Sequence, residues 1–293
     1  MSSPVVSLNP WTDLSTMWSY PYLRNALIAG SIVAIIAASV GWMMVQRRQS
    51  FLGHTLAVVS FPGASLALLF ALPASVGYYG ATVIAALIAR QSSDAQTADD
   101  RQSNATIGTV QAVALATGLL VISRSSSFLT STTSLLFGSF LGITSNEVLL
   151  IAVVGVVTGV VFIAIARPLL LATFDATEAT AMGIPVAALN VVFAVLLACV
   201  VAATSQITGA LLVFALLVMP GATAQILTPK VWKGCAISVG LGLGILWLGI
   251  GLSFYLPRLP LGFCVTSVGF FAYLVSHVLV ALRSRPHLQG NVA

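Results

Sequence analysis

Charged residues are scarce in this chain. They make up 6% of its 293 residues, with 12 Lys and Arg and 7 Asp and Glu, whereas about 25% of a soluble domain is charged. Hydrophobic residues make up 58% and the mean hydropathy is +1.04. A secreted enzyme, a nucleic-acid binder and a coiled-coil scaffold are excluded, because each needs a charged surface. The net charge of +5 therefore indicates membrane orientation and not a nucleic-acid partner.

Several chemical signatures are also missing. The three cysteines stand singly in apolar stretches, without C-x-x-C spacing, which predicts small buried side chains. There is no G-x-x-x-x-G-K-[ST] phosphate loop, and no nucleophile, base and acid set, so we expect no bound ATP, no cofactor and no enzymatic activity. Every Asp and Glu falls in a loop, a terminus or at a helix end, so no buried carboxylate can couple transport to protons or sodium. Any energy for transport must come from another subunit.

Apolar runs near spanning length fill most of the chain. Because lipid offers the backbone no hydrogen-bond partner, each run predicts a helix, and the fold class is all-α. We count nine transmembrane helices, at about 25–45, 51–72, 73–89, 107–123, 148–166, 187–203, 207–228, 234–256 and 263–282. The predicted organisation is an extracytoplasmic polar segment over 1–22, a membrane domain over 23–283 and a cytoplasmic tail over 284–293.

The distribution of basic residues predicts the orientation. Alternating the loops between two sides puts nine basic residues on one side and three on the other, and the richer side is cytoplasmic. The N-terminus is then outside and the C-terminus inside. The two sets are Arg47, Arg48, Arg90, Arg101, Arg167, Lys230, Lys233, Arg283 and Arg285 inside, and Arg24, Arg124 and Arg258 outside.

Two spans carry a proline followed by a glycine. Pro62-Gly63 follows Ser60 in the second span, and Met219-Pro220-Gly221 lies near the middle of the seventh. Breaks at similar depth point to a translocation path between these helices, although proline kinks that serve only packing are also common. His54, one turn inside the cytoplasmic end of the second span, is either a transition-metal ligand or an imidazole hydrogen-bonded to a neighbouring helix.

Two shorter segments are also predicted to be helical. Leu135 to Gly142 is too short to span and predicts an interfacial or re-entrant helix on the outer side. On the cytoplasmic side, Asp175 or Thr177 is a candidate N-cap, Glu178 complements the positive end of the helix dipole, and Gly183 is a candidate C-cap. This short helix is either a docking surface for another protein or a plain connection.

The chain resembles the membrane permeases of bacterial ABC importers for zinc, manganese and iron(II). Four stretches carry the resemblance: Arg47-Arg48 followed by Gly53 and Pro62-Gly63, LLFGS from Leu135, FDATEATAMGIP from Phe174, and GALLVFALLVMPGATAQIL from Gly209. The resemblance implies a homodimer in the bacterial cytoplasmic membrane, a cytoplasmic ATPase on each copy and an extracytoplasmic metal-binding protein. It also implies that the segment with Phe174, Asp175, Glu178 and Gly183 docks the ATPase.

One position departs from the family pattern Gly-Asp-Ala-x-Ser-His-x-x-x-Pro-Gly. His54 stands where that pattern has Asp, and Val58 stands where it has His. An imidazole in place of a carboxylate favours zinc over manganese, and in a homodimer His54 and its symmetry mate together supply two ligands. We therefore expect a zinc importer. The alternatives are a permease of the same family that imports a metal chelate or another small solute, and an ion-coupled carrier that works alone.

Overall fold

The computed structural model describes residues 18–95, 100–123, 128–138, 142–210, 212–256 and 259–283, and within them all regular structure is helical. The predicted all-α fold is confirmed. Most of the predicted N-terminal segment and the whole tail over 284–293 lie outside the described residues. The helices are α1 (Pro21–Gln46), α2 (Ser50–Leu69), α3 (Ala74–Ala95), α4 (Asp100–Ile122), α5 (Phe128–Phe137), α6 (Ser145–Phe174), α7 (Ala176–Ala181), α8 (Val186–Thr208), α9 (Val213–Leu217), α10 (Met219–Leu227), α11 (Val231–Tyr255) and α12 (Leu261–Arg283).

Six of these helices are long and apolar enough to cross a bilayer, namely α1, α2, α6, α8, α11 and α12. Three shorter apolar stretches, Ala74–Ala89, Gly108–Ile122 and Val213–Leu227, coincide with the third, fourth and seventh predicted spans. The count of nine spans and the orientation remain predictions.

Burial separates central helices from peripheral ones. In the most apolar window of α1, 67% of residues are buried, against 22% for α6 and 17% for α12. The exposed face of α6 carries large apolar side chains such as Val156, Val160 and Ile163. Helix α1 is therefore the centre of the bundle, and α6 presents the kind of face that lipid covers.

The end of α5 packs on the junction between α8 and α9. The Ala210 N–H donates to the Leu135 carbonyl at 3.2 Å, and Gly138 and Gly209 both have positive φ. A Cβ on Gly138 would lie 2.8 Å from the Gly209 nitrogen, so only glycine allows this approach. The predicted helix over Leu135 to Gly142 is wrong in its bounds, because the helix is formed by the preceding serine- and threonine-rich residues and ends at Phe137.

Candidate functional site

His54 lies one turn into α2, where the sequence places it, and its ring is half-buried. The imidazole packs edge-on against the Phe214 ring of α9, with 5.9 Å between centroids and 87° between planes. This contact brings the second and seventh predicted spans together. The described residues hold no group of three or more His, Cys, Asp or Glu side chains, so this part of a single chain offers His54 without further ligands of those types.

The residues around His54 form an incompletely covered face, which we call the His54 face: Phe51, His54, Thr55 and Phe214. Phe51 and Phe214 are 42% and 39% exposed, and Thr55 is half-buried. Gln111 of α4 donates from Nε2 to the Thr55 hydroxyl oxygen at 2.8 Å. The face therefore combines an imidazole, a hydroxyl and an amide with two exposed aromatic rings, a polar composition that is costly against lipid.

Ser60, Pro62 and Gly63 are all buried inside the bundle. The Ser60 hydroxyl donates to the Ala57 carbonyl at 2.6 Å and lies 3.1 Å from the Ser205 hydroxyl of α8. Pro62 sits within a continuous α2, where it removes the N–H that would bond the Val58 carbonyl. In one chain, these residues serve the packing of α2 against its neighbours, and their role in a translocation path remains a prediction.

Gly63 is a point of close approach between α2 and α3. A Cβ on Gly63 would lie 2.5 Å from the Gly77 carbonyl oxygen, and a Cβ on Gly77 would lie 2.6 Å from the Gly63 carbonyl carbon. Both distances are far inside van der Waals contact, so the two backbones touch where both residues lack a side chain.

The seventh predicted span is divided at Val218 into α9 and α10, next to Met219-Pro220-Gly221. The break is mild, because Val218 N–H still donates to the Phe214 carbonyl and Ala222 N–H donates to the Val218 carbonyl, both at 2.9 Å. Pro220 is buried and Met219 is half-buried. Gly221 packs on the backbone of Trp42 in α1, so the neighbours of the two proline-glycine breaks differ: α3 at Gly63 and α1 at Gly221.

Helix α7 begins and ends at residues that the sequence predicts. Of the two candidate N-caps, Asp175 caps the helix, accepting from the Glu178 N–H at Oδ1 over 2.9 Å. At the other end, Gly183 has φ +79°; its N–H donates to the Thr180 carbonyl and that of Ile184 to the Ala179 carbonyl, both at 3.0 Å. This pair of bonds is a Schellman motif, which fixes the direction of the chain after a helix of only six residues.

The outer surface of α7 is exposed and partly apolar. Only Ala179 is buried, whereas Phe174 and Met182 are 67% and 66% exposed and Glu178 is exposed. Large apolar side chains on a capped and therefore rigid element form a surface that a protein partner can bind. The helix prediction is confirmed, and the docking role of Phe174, Asp175, Glu178 and Gly183 remains a prediction.

Sequence reasoning did not identify the partners of these residues. Phe214 against His54, Ser205 against Ser60 and Gln111 against Thr55 are separated by 56 or more positions in the chain. No local spacing signals such contacts, because they depend on which helices pack together.

Comparisons with known proteins agree with this architecture. Residues 19–280 match the family model described as "ABC 3 transport family". A curated relative from Halalkalibacterium halodurans, "Manganese transport system membrane protein MntC", is 32% identical over 213 residues, covering 72% of each chain. The "Chelated iron transport system membrane protein YfeC" of Yersinia pestis is 28% identical over 277 residues, covering 93% of each chain.

A solved structure shows the same fold. The chain aligns with "PsaBC from Streptococcus pneumoniae in complex with Fab" at a TM-score of 0.80 and 24% identity, covering 91% of this chain and 94% of that one. The predicted resemblance and the multi-pass location in the plasma membrane are confirmed by the family match and by the six candidate spans. The chain belongs to the ABC 3 transport family, a family of membrane permeases.

Proposed function

We propose that the chain is the permease subunit of an ATP-driven importer of a divalent transition metal, working as a homodimer with a cytoplasmic ATPase and an extracytoplasmic binding protein. The observation that carries the proposal is α7, because a capped helix with exposed Phe174 and Met182 offers a partner a rigid surface. The family match and the relatives named for manganese and chelated iron transport support the same class of cargo. ATP-driven closure of the dimer moves α7 and opens or closes a path beside α2 and the broken seventh span.

The distribution of carboxylates argues against a carrier that works alone. Among the residues whose side chains the structure describes, Glu147 lies in the first turn of α6, and Asp175 and Glu178 lie at the start of α7. None of these three stands in the interior of a span, where a proton or sodium relay is needed. Energy from a partner ATPase is the simpler source.

A second copy of the chain completes the His54 face. Covering Phe51, His54, Thr55 and Phe214 with the same face of a partner takes their polar groups away from hydrocarbon and places two imidazoles near one axis. In a background where the native cysteines are replaced, Thr55→Cys should form a cross-linked dimer in membranes. Val160→Cys, on the exposed face of α6, is the control and should remain monomeric; equal cross-linking of both variants contradicts this dimer interface.

The cargo follows from the ligand type. An imidazole pair without a carboxylate favours zinc over manganese, so our first choice is zinc, and a chelated metal is the second because the H. halodurans and Y. pestis relatives are named for other cargoes. The test is the total zinc, manganese and iron of cells that lack the chain, with each metal limiting in turn. We expect a deficit in zinc alone, restored by the wild-type chain.

The role of His54 is tested in the same cells. His54→Ala should fail to restore the metal, whereas His277→Ala, an exposed histidine of α12 packed on Tyr273, should restore it. Full uptake by His54→Ala contradicts the ligand role, and a deficit in manganese or iron contradicts the choice of zinc.

The docking surface needs a separate test. Met182→Glu should reduce the amount of ATPase that co-purifies with the permease, because it places a charge in an apolar contact. Lys230→Glu, which introduces the same carboxylate in another predicted cytoplasmic connection, should retain the ATPase. If both variants retain it equally, α7 is a plain connection.

A further inference from the structure

Arg47 joins three helices at the predicted cytoplasmic end of the bundle. It is the C-cap residue of α1, and its guanidinium reaches the two helices that flank α7. Nη1 donates to the Thr173 hydroxyl at 3.4 Å, and Nη2 donates to the Asn190 side-chain oxygen. Cζ lies 5.2 Å from the centroid of the Phe193 ring, within cation–π range.

The two hydrogen-bond partners stand on opposite sides of the docking helix. Thr173 is in the last turn of α6, two residues before the N-cap Asp175, and Asn190 is in the second turn of α8, after the Schellman motif. The Thr173 hydroxyl donates to the Leu169 carbonyl at 2.6 Å, which fixes its orientation. One guanidinium thus holds both legs of the α6–α7–α8 hairpin, which only a planar group with several donors does in this way.

The segment of α1 just before Arg47 packs on both helices of the predicted path. A Cβ on Gly41 would overlap the Leu217 carbonyl oxygen at the end of α9, and a Cβ on Gly53 at the start of α2 would lie 3.2 Å from the Leu217 side chain. Gly221 of α10 approaches the Trp42 Cα, where a Cβ would lie at 2.9 Å. With no side chains between them, these backbones have little room to move independently.

The contact between α1 and the broken span is also incompletely hydrogen-bonded. The indole nitrogen of Trp42 and the hydroxyl of Thr223 are buried without a hydrogen-bond partner in the described part of the chain. Unpaired buried polar groups cost free energy, so this interface lies closer to an alternative arrangement than a fully paired one does.

We propose that Arg47 is a positioning residue that transmits movement of the docking helix α7 to the end of α1, and through it to the start of α2 and the α9–α10 break. The proposal rests on the proposed function, since it takes α7 as the ATPase docking element. It goes further by assigning the mechanical link to one side chain. A shift of α7 moves Thr173 and Asn190, Arg47 follows them, and the Gly41–Met44 segment carries the shift to His54 and Pro220.

Arg47→Gln tests this link, with Arg48→Gln as its matched control. Arg48 is the adjacent arginine, exposed and with φ +56°, so the control removes the same charge from the same connection without touching α6 or α8. In liposomes that hold the permease with its ATPase and binding protein, Zn²⁺ uptake per ATP hydrolysed should fall about tenfold in Arg47→Gln, within the usual range of coupling effects. The ATPase should still co-purify, and Arg48→Gln should match wild type.

Two further variants keep the test valid if Arg47→Gln folds poorly. Asn190→Ala and Thr173→Val each remove one hydrogen bond and leave the arginine in place, and each should lower the same ratio by a smaller factor. Arg47→Lys should restore it in part, because an ammonium keeps the charge but not the planar contact with two acceptors. A ratio that is the same in Arg47→Gln as in Arg48→Gln overturns the proposal.

Hydrogen exchange gives a readout that needs no cargo. In the wild-type complex, adding ATP with vanadate should change the exchange of α7 and of residues 41–55 together. In Arg47→Gln the change should stay in α7, whereas a change that still reaches residues 41–55 overturns the link. Failure of the docking proposal has a different signature: α7 would show no change even in the wild-type complex.

Discussion

Replacing Gly63 by alanine separates packing from transport at the α2–α3 contact. The added Cβ would lie 2.5 Å from the Gly77 carbonyl oxygen and closer still to the Ala81 methyl group. Both obstacles belong to the α3 backbone or to an atom fixed on it, so neither can rotate away. Overpacking of this kind costs about 1–3 kcal/mol. At about 2–4 °C per kcal/mol, the midpoint of thermal unfolding should fall by about 2–12 °C.

Gly80→Ala is the matched control on the same interface helix. A Cβ on Gly80 meets no atom within 4 Å, and alanine is the better helix former by about 0.5–1 kcal/mol. The control should therefore unfold at the wild-type temperature or slightly above it. The assay is thermal unfolding of the purified permease in detergent. If Gly63→Ala unfolds at or above the temperature of Gly80→Ala, the packing argument is wrong, and any loss of uptake in that variant must come from the path itself.

Three other predictions concern helix ends. Asp175→Ala should speed amide exchange at the start of α7 by removing a cap worth about 1 kcal/mol, whereas Thr177→Ala should leave it unchanged; equal effects refute the assignment of the cap. Gly183→Ala should cost about 1–2 kcal/mol because its φ is +79°, and Gly183→Asn should cost less, as judged by proteolysis of the α7–α8 connection. Thr144→Ala breaks the capping box of α6 and should lower the unfolding midpoint by an amount equivalent to about 1 kcal/mol, and a Thr144→Ser variant that unfolds like Thr144→Ala contradicts the role of the hydroxyl.

The elements that local chemistry determines could be predicted from the sequence. Helix α7 follows from Asp175, Glu178 and Gly183, which act within one turn of their own positions. The all-helical fold follows from the apolar runs, because lipid leaves the backbone no other partner. The distortion of the seventh span at Val218 follows from Pro220, whose missing N–H is a local property as well.

What could not be predicted depends on contacts between distant helices. The serine- and threonine-rich residues that form α5 carry no strong helical signal, and the helix is held where Gly138 meets Gly209. Gly63 has the same identity whether it weakens a helix or admits a neighbour, and only Gly77 decides between these. Arg47 contributes to the orientation in the sequence, but its contacts with Thr173 and Asn190 appear only once α1 lies between α6 and α8.

The coordination number at His54 links the cargo to the dimer. Zinc sites that hold the metal for structure use four protein ligands, and catalytic sites use three with one open position. His54 and its symmetry mate would supply two, which leaves the remaining positions to water or to a chelator. A site with few protein ligands releases its ion readily, as conduction requires. Because Val58 offers no ligand atom, Val58→His should add two imidazoles per dimer, raise zinc affinity and slow turnover; faster zinc uptake in this variant would refute the view that weak coordination serves transport.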